Sequence, residues 1–483
     1  MSSHHLSFLL VAAGLASAPS AFAQALTPEQ AVAIALQNSP VLGVSVAQTR
    51  GARWALTSEE TKFAPTLLLD AGVTRTQNPS LSVTGVTVPR SDLATAGAEL
   101  DKHFSIGTDI ALRLAGTWQR TQMAAMPGQN SMLTMGPGYG LSARLGVTQP
   151  LLRGAGTEYN TSTIRAANAD EKAAQHGEVD AASSLARDTL QAYAELWYAS
   201  RNIQVQTRSL EVASGQRDDA VQRERTGSVA QADVLSFETT VATRQEAVVD
   251  AEREHAARKL ELVRIMGASP GAVAPVEQLT VPPSEQGDLV AAAMANSAEL
   301  KQLEASLNAA AIRAKVAADP YRSRLDLDAY VQVQGLGNKE VPPAFTQFVG
   351  GNAWSAHVGL TYELPLSGKR DAETRRAAEA VNAASKNLDA ARARIRAEVE
   401  TLALQERAAR ARAELAERTV ALAKRAAEAQ RQRMQTGTAT ALQVIQAENE
   451  VRSAELRSLR ATADAYEAVV SLKRVTGRLI EYR

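Results

Sequence analysis

This chain repeats itself, and a duplication constrains the fold more than any other feature of it, because each copy must build the same elements in the same order. Residues 26–42 (LTPEQAVAIALQNSPVL) answer residues 286–300 (QGDLVAAAMANSAEL), with Asn38-Ser39 set against Asn296-Ser297, and each stretch opens an amphipathic helix. Further on, LGVTQPLLRGAG from Leu145 answers VGLTYELPLSGK from Val358, and RTGSVAQADVL from Arg225 answers QTGTATALQVI from Gln435. The order of these landmarks predicts two structural repeats, 24–275 and 284–483, each running helix, strands, long helix, turn, return helix. A Pro-rich linker at 276–283 joins them, with Pro270, Pro275, Pro282 and Pro283 as its punctuation.

The long helices are set by their seams. No proline interrupts residues 159–224, where Leu196, Ile203 and Leu210 fall seven apart and Ala186, Leu190, Tyr193 and Trp197 alternate spacings of four and three. In the second copy Leu388, Ile395, Leu402, Ala409 and Ala416 repeat every seven residues within 369–435. At 1.5 Å per residue each long helix spans roughly 100 Å. Gly227 and Gly437 then turn the chain into return helices over 231–267 and 441–477. These are too short to pair along the whole of their partners. The expectation is that each is extended by the next opening helix stacked on its end: the first return helix by the helix ending before Pro320, the last by the helix ending before Pro65.

Between the helices lie segments of period two. Leu67, Leu69, Ala71 and Val73 alternate with Leu68, Asp70, Gly72 and Thr74; Leu325 to Val333 alternate with Asp326, Asp328, Tyr330 and Gln332; Trp354 to Tyr362 alternate with Ser355, His357, Gly359 and Thr361. The first copy adds Ala94 to Leu100, Ile110 to Trp118 and Leu141 to Val147. That predicts four strands in copy one and two in copy two. Segments of about ten residues with this alternation suit strands of an outer-membrane barrel, apolar toward lipid and polar toward a wet lumen. Asp70, Asp326 and Asp328 are then lumen-facing. A soluble antiparallel sheet with one wet face shares the pattern. So few strands per chain close a barrel only if subunits share it.

Export agrees with this reading. Residues 1–23 carry an apolar core from Leu6 to Ala16 and the small-x-small triplet Ala21-Phe22-Ala23, a secretory signal cleaved after Ala23, although no Lys or Arg precedes the core. No later stretch reaches the roughly 18 uninterrupted apolar residues of a membrane-spanning helix. There is no cysteine, hence neither a disulfide framework nor a thiol for a lipid anchor. The 52 Lys and Arg are balanced by 52 Asp and Glu, which argues against a nucleic-acid surface.

No catalytic constellation emerges. Asp326 and Asp328 want more ligands nearby before they read as a metal site, and His103, His176, His255 and His357 lack ligand spacing. Gly154-Ala155-Gly156 lacks the Lys and spacing of a phosphate loop and reads as the exit from the strands into the long helix. The expectation is no enzyme, no metal and no cofactor.

The repeat LTPEQAVAIALQNSP, VTQPLLRGAG leaving the first strands, its counterpart ELPLSGK and the two Gly turns together resemble the TolC-like outer-membrane efflux protein family over essentially the whole mature chain. The fold class implied is mainly α with a membrane β-barrel: a homotrimer sharing one barrel in the outer membrane above a long periplasmic coiled-coil α-barrel. The resemblance also implies tip turns (Gly227, Ser228, Val229; Gly437, Thr438, Ala439) that meet a periplasmic adaptor and an inner-membrane pump. Four strands per subunit are usual there, so the hairpin ending at Ile110 to Trp118 is a departure. In the family the second turn carries a basic residue two after its Gly and acidic residues six and nine after it; here these are Ala439, Gln443 and Gln446. Asp233, six after Gly227, is the remaining acidic gate candidate. The implied function is an exit duct of a tripartite efflux or type I secretion system; the rival is a non-conducting periplasmic coiled-coil structural or adhesive protein.

Overall fold

A computed structural model describes residues 26–82, 85–87, 90–123, 133–268 and 274–480; residues 1–23, expected to be a secretory signal, lie outside them. Copy one runs α1 (Pro28–Asn38), α2 (Pro40–Glu60), β1 (Thr66–Gln77), a small β2 (Ser80–Ser82) and β3 (Gly85–Thr87) hairpin, β4 (Arg90–His103), β5 (Asp109–Met123), β6 (Leu133–Pro150), α3 (Thr157–Asn160), α4 (Ser162–Arg225) and α5 (Gln231–Met266). Copy two repeats the scheme with α6 (Leu289–Asn296), α7 (Ala298–Val316), β7 (Arg324–Asn338), α8 (Val341–Gly350), β8 (Trp354–Glu363), α9 (Lys369–Gln435) and α10 (Ala441–Val475). The long helices hold 64 and 67 residues and the return helices 36 and 35, close to expectation.

The chain forms two compact units, each drawing on both copies. One takes the chain up to Val44, Val179–Ser297 and Ala393–Arg483; the other takes Ser45–Glu178 and Ala298–Arg392.

In the first unit each opening helix is broken where the sequence repeats Asn-Ser. Ser39 turns extended (φ −66°, ψ 123°) because the following Pro40 disfavours a helical residue before it; Ser297 breaks in the same way (φ −56°, ψ 117°). The return helices end in left-handed glycines, Gly267 (φ 62°) and Gly477 (φ 70°), and these ends abut the breaks. A Cβ on Gly267 would lie 2.6 Å from Asn38 O, and one on Gly477 would lie 2.7 Å from Asn296 Cβ. This corrects the expected stacking: α5 meets the α1–α2 break of its own copy, and α10 meets the α6–α7 break of its own. Helix lengths fit either pairing. The long link from Gly267 to Asp288 frees α6 to leave the end of α5.

The middle of α4 is buried through Leu185, Leu190, Tyr193, Leu196 and Trp197. Part of that cover is backbone. Leu26 N–H donates to Ala274 O (2.8 Å), and Tyr193 O–H donates to Leu26 O (2.6 Å) while accepting from Val276 N–H (2.9 Å). One phenol thus satisfies polar groups of the first residues and of the inter-repeat linker, which otherwise lie unpaired in an apolar place.

The second unit carries a six-stranded antiparallel sheet in the order β1-β4-β5-β6-β7-β8. The predicted four plus two strands are all present, and the β4–β5 hairpin lies within the sheet. Register aligns the alternation across it: Leu69 faces Ala98, Ala98 faces Leu114, Leu114 faces Ala143, Ala143 faces Val333, and Val333 faces Trp354. One face is therefore apolar across all six strands. Its leucines and valines are exposed, among them Leu69, Val73, Val358 and Leu360. No single described helix is long and apolar enough to cross a membrane.

One element went unpredicted. Helix α8, in the β7–β8 connection, folds back on the apolar face, where Gly335 and Gly337 leave no room for a Cβ beside Ala344 and Phe348.

Candidate functional sites: the tip turns and the polar sheet face

The two tip turns have the same construction. Gly227 (φ 72°) and Gly437 (φ 75°) adopt the left-handed conformation that glycine takes without a Cβ penalty. Each closes its helix with paired bonds: Gly227 N–H to Glu224 O (2.8 Å) with Ser228 N–H to Arg223 O (2.9 Å), and Gly437 N–H to Met434 O (3.1 Å) with Thr438 N–H to Arg433 O (2.8 Å). Nothing lies within 4 Å of a Cβ built on either glycine, so backbone conformation alone requires them. Ser228 and Thr438 are exposed, whereas Val229 and Ala439 are half-buried. Val229 packs with Val221, Met434 and Ile445 on a cluster of Ala220, Val234, Phe237 and Ala441, which brings the two turns together.

The gate candidates separate by environment. Asp233 and Gln443 occupy the same position, third in the first turn of α5 and α10. Gln443 is committed to a capping box: Thr440 N–H donates to its Oε1 (3.0 Å) and its N–H donates to Thr440 Oγ1 (3.3 Å). Ala230, the equivalent of Thr440, has no side-chain cap, so Asp233 stands half-buried at the positive end of a helix dipole. Gln446 is exposed.

Further along the same helices lies a feature that the sequence reading missed. A cavity of about 320 Å³ is lined by Arg208, Arg244, Lys424, Arg431 and Arg452 together with Glu428, Glu448 and Glu455. Arg431 pairs with Glu448 and Glu428, and Lys424 with Glu455 (2.6 Å). Arg244, only 8 % exposed, donates to Asn449, and burial, with Arg452 nearby, lowers its affinity for its proton. The signal was present as arginines at apolar-seam spacing, a pattern easily taken for a solvated face.

On the sheet, the face opposite the leucines is polar. Asp70 is on it, 2.9 Å from Arg113 Nη2, and Arg113 Nη1 lies 2.6 Å from Glu99. The triad crosses three strands because Gly97 lies between: a Cβ there would sit 2.7 Å from Asp70 Oδ1. Asp328 accepts from Thr148 Oγ1 (3.0 Å), Arg144 lies over the Tyr330 ring, and Tyr330 stacks on His357. Asp326 shares this face by register but is 3 % exposed and paired with Arg324, so it is a buried strand-end contact and not an open wall residue. Among the described residues no three His, Cys, Asp or Glu side chains come together as a metal site. Gly154 and Gly156, at φ 80° and 89°, do lead the chain out of β6 into α3.

The comparisons point one way. Residues 289–478 match the model of the outer membrane efflux protein family. No curated protein matches the chain. Among solved structures, the outer membrane protein VceC of Vibrio cholerae is 17 % identical, with 93 % of this chain and 96 % of that one covered at a TM-score of 0.67. The MtrE outer membrane channel of Neisseria gonorrhoeae is 17 % identical, with 94 % and 89 % covered at 0.68, and a membrane protein from Pseudomonas aeruginosa is 15 % identical, with 93 % of each covered at 0.70. By sequence over residues 289–478 the chain is similar to the outer membrane efflux protein family, and over nearly its whole length it has the fold of these outer-membrane channels.

Proposed function

We propose that three copies close one barrel and one helical tunnel, and that the assembly passively conducts solutes from a periplasmic adaptor and an inner-membrane pump to the exterior, as the exit duct of a tripartite efflux or type I secretion system. The observation that carries this reading is the sheet: one face with a broad apolar band across all six strands, the other lined by Asp70, Arg113, Glu99, Asp328 and His357, with β1 and β8 as the edges of the sheet. An open edge of this length is stable in a bilayer only when another chain pairs with it. In this reading Asp70 and Asp328 face the lumen, and Ser228 and Thr438 at the exposed turns meet the adaptor. Asp233 supplies the one acidic ring at the gate, while Gln443 and Gln446 stand where the family carries charge. Single-channel recording in planar bilayers, with the mass of the detergent-purified protein, tests it. A trimer with discrete openings supports the duct; a non-conducting monomer leaves a coiled-coil scaffold in its place.

A further inference from the structure

Helix α8 is in the wrong place for an aqueous loop. It presents Val341, Phe345 and Val349, one helical turn apart, to the outside, with Val349 66 % exposed, while its other side sits on Gly335 and Gly337 of the apolar sheet face. Exposed apolar side chains stacked on an exposed apolar sheet are costly in water and favourable in hydrocarbon. The helix packs mainly on β7 and also on β6, so the β1 edge and the free side of β8 remain available to a neighbouring subunit. Beneath it, Phe345 and Phe348 roof a cavity of about 500 Å³ over Ala96, Ala98, Leu114 and Leu141 of β4 to β6. Apart from Ser142 its lining side chains are hydrocarbon, which suits an alkyl chain.

Beyond that cavity the same face changes character. Arg75, Asp92 and Arg120 stand opposite one another across β1, β4 and β5, and Arg90 follows two residues on. Arg75 and Arg90 share the single carboxylate of Asp92 (2.6 and 3.0 Å). Three guanidiniums to one carboxylate leave an excess of positive charge at the border of the apolar band. It lies four residues, about 13 Å along the strand, from Ala96.

We propose that α8 lies in the outer leaflet against the outside wall of the barrel, and that the cavity it roofs takes an acyl chain of a phosphorylated outer-leaflet lipid whose phosphate rests on Arg75, Arg90 and Arg120. Guanidinium forks match phosphate oxygens. The proposal rests on the barrel reading above, and its test separates the two. The chain has no native cysteine, so spin labels at Val349→Cys on α8 and at Val358→Cys on the apolar face of β8 report lipid or water accessibility in phosphatidylcholine vesicles. Both labels in lipid is the expected result. The β8 label in lipid with the α8 label in water overturns this proposal and spares the barrel; both in water overturns the barrel and the proposal with it. For the cavity, trimers reconstituted with a bisphosphorylated, multiply acylated glycolipid are re-extracted, and retained lipid is counted by native mass spectrometry. Ala98→Phe, which fills the cavity, is expected to lower retention at least fivefold, and Arg90→Gln with Arg120→Gln to abolish the preference for the phosphorylated lipid over phosphatidylcholine. Unchanged retention in the first variant or unchanged preference in the second refutes the site.

Discussion

Gly227 and Gly267 share a left-handed backbone and differ in what surrounds them. An alanine at either costs roughly 1–2 kcal/mol for its conformation alone. At Gly227 that is the whole cost, since the space around it is open; at Gly267 the new methyl also meets the backbone oxygen of Asn38. Thermal unfolding in detergent should therefore show Gly227→Ala slightly destabilised and Gly267→Ala clearly worse, and equal losses would refute the helix-end contact. The glycines were legible as helix stops, but their neighbours were not, because a stop signal does not name what it abuts. Glu467 was not legible at all. Burial on α10, reinforced by Glu195, raises its carboxyl to about 7. The folded protein then holds a proton that the unfolded chain releases near 4.5, so the stability this group contributes is fully present below 4.5 and is lost as pH rises through about 7. Glu467→Gln removes that fall. It should unfold at a higher temperature than the parent at pH 8 and at the same temperature near pH 4; an equal shift at both pH values would rule out the titration.

The elements were legible to different degrees. Long seams gave α4 and α9 to within a few residues, and strict alternation gave six strands, because both patterns are repeated many times and tolerate local exceptions. The stacking partner of each return helix was misread because length arithmetic is blind to which end meets which. Helix α8 was missed because VPPAFTQFVG is short and opens with two prolines, which reads as a turn until Gly335 and Gly337 make a seat for it. The gate candidates divide here too. Gln443→Ala removes a reciprocal cap, worth about 1 kcal/mol at the start of α10, and is expected to alter opening frequency with little change in ion preference. Asp233→Asn removes a charge at the equivalent place in α5 and is expected to reduce the cation-to-anion permeability ratio. Reversal potentials in a salt gradient distinguish them, and a ratio changed by Gln443→Ala but untouched by Asp233→Asn would contradict the assignment.

The proposed barrel forms only at the scale of the assembly, and the sheet constrains it. The described sheet has six strands; in the proposed trimer, with β8 of one chain pairing with β1 of the next, that gives 18. The alternative of 12 needs the β4–β5 hairpin outside the wall. Register speaks against that: β4 pairs with β1 from Thr66 to Gln77 and with β5 from Asp109 to Gln122, and the Asp70–Arg113–Glu99 triad on the polar face spans β1, β4 and β5 together. Removing the hairpin would strand Asp70 without its guanidinium and leave the apolar face of β4 and β5 without lipid or protein cover. Since barrel diameter grows roughly in proportion to strand number, the wider ring is about half as wide again as one of 12. A density map of the trimer in lipid nanodiscs should show six strands per subunit in a continuous wall. Four per subunit, with Ile110 to Trp118 outside the ring, would return the chain to the narrower barrel and take the polar triad out of the lumen.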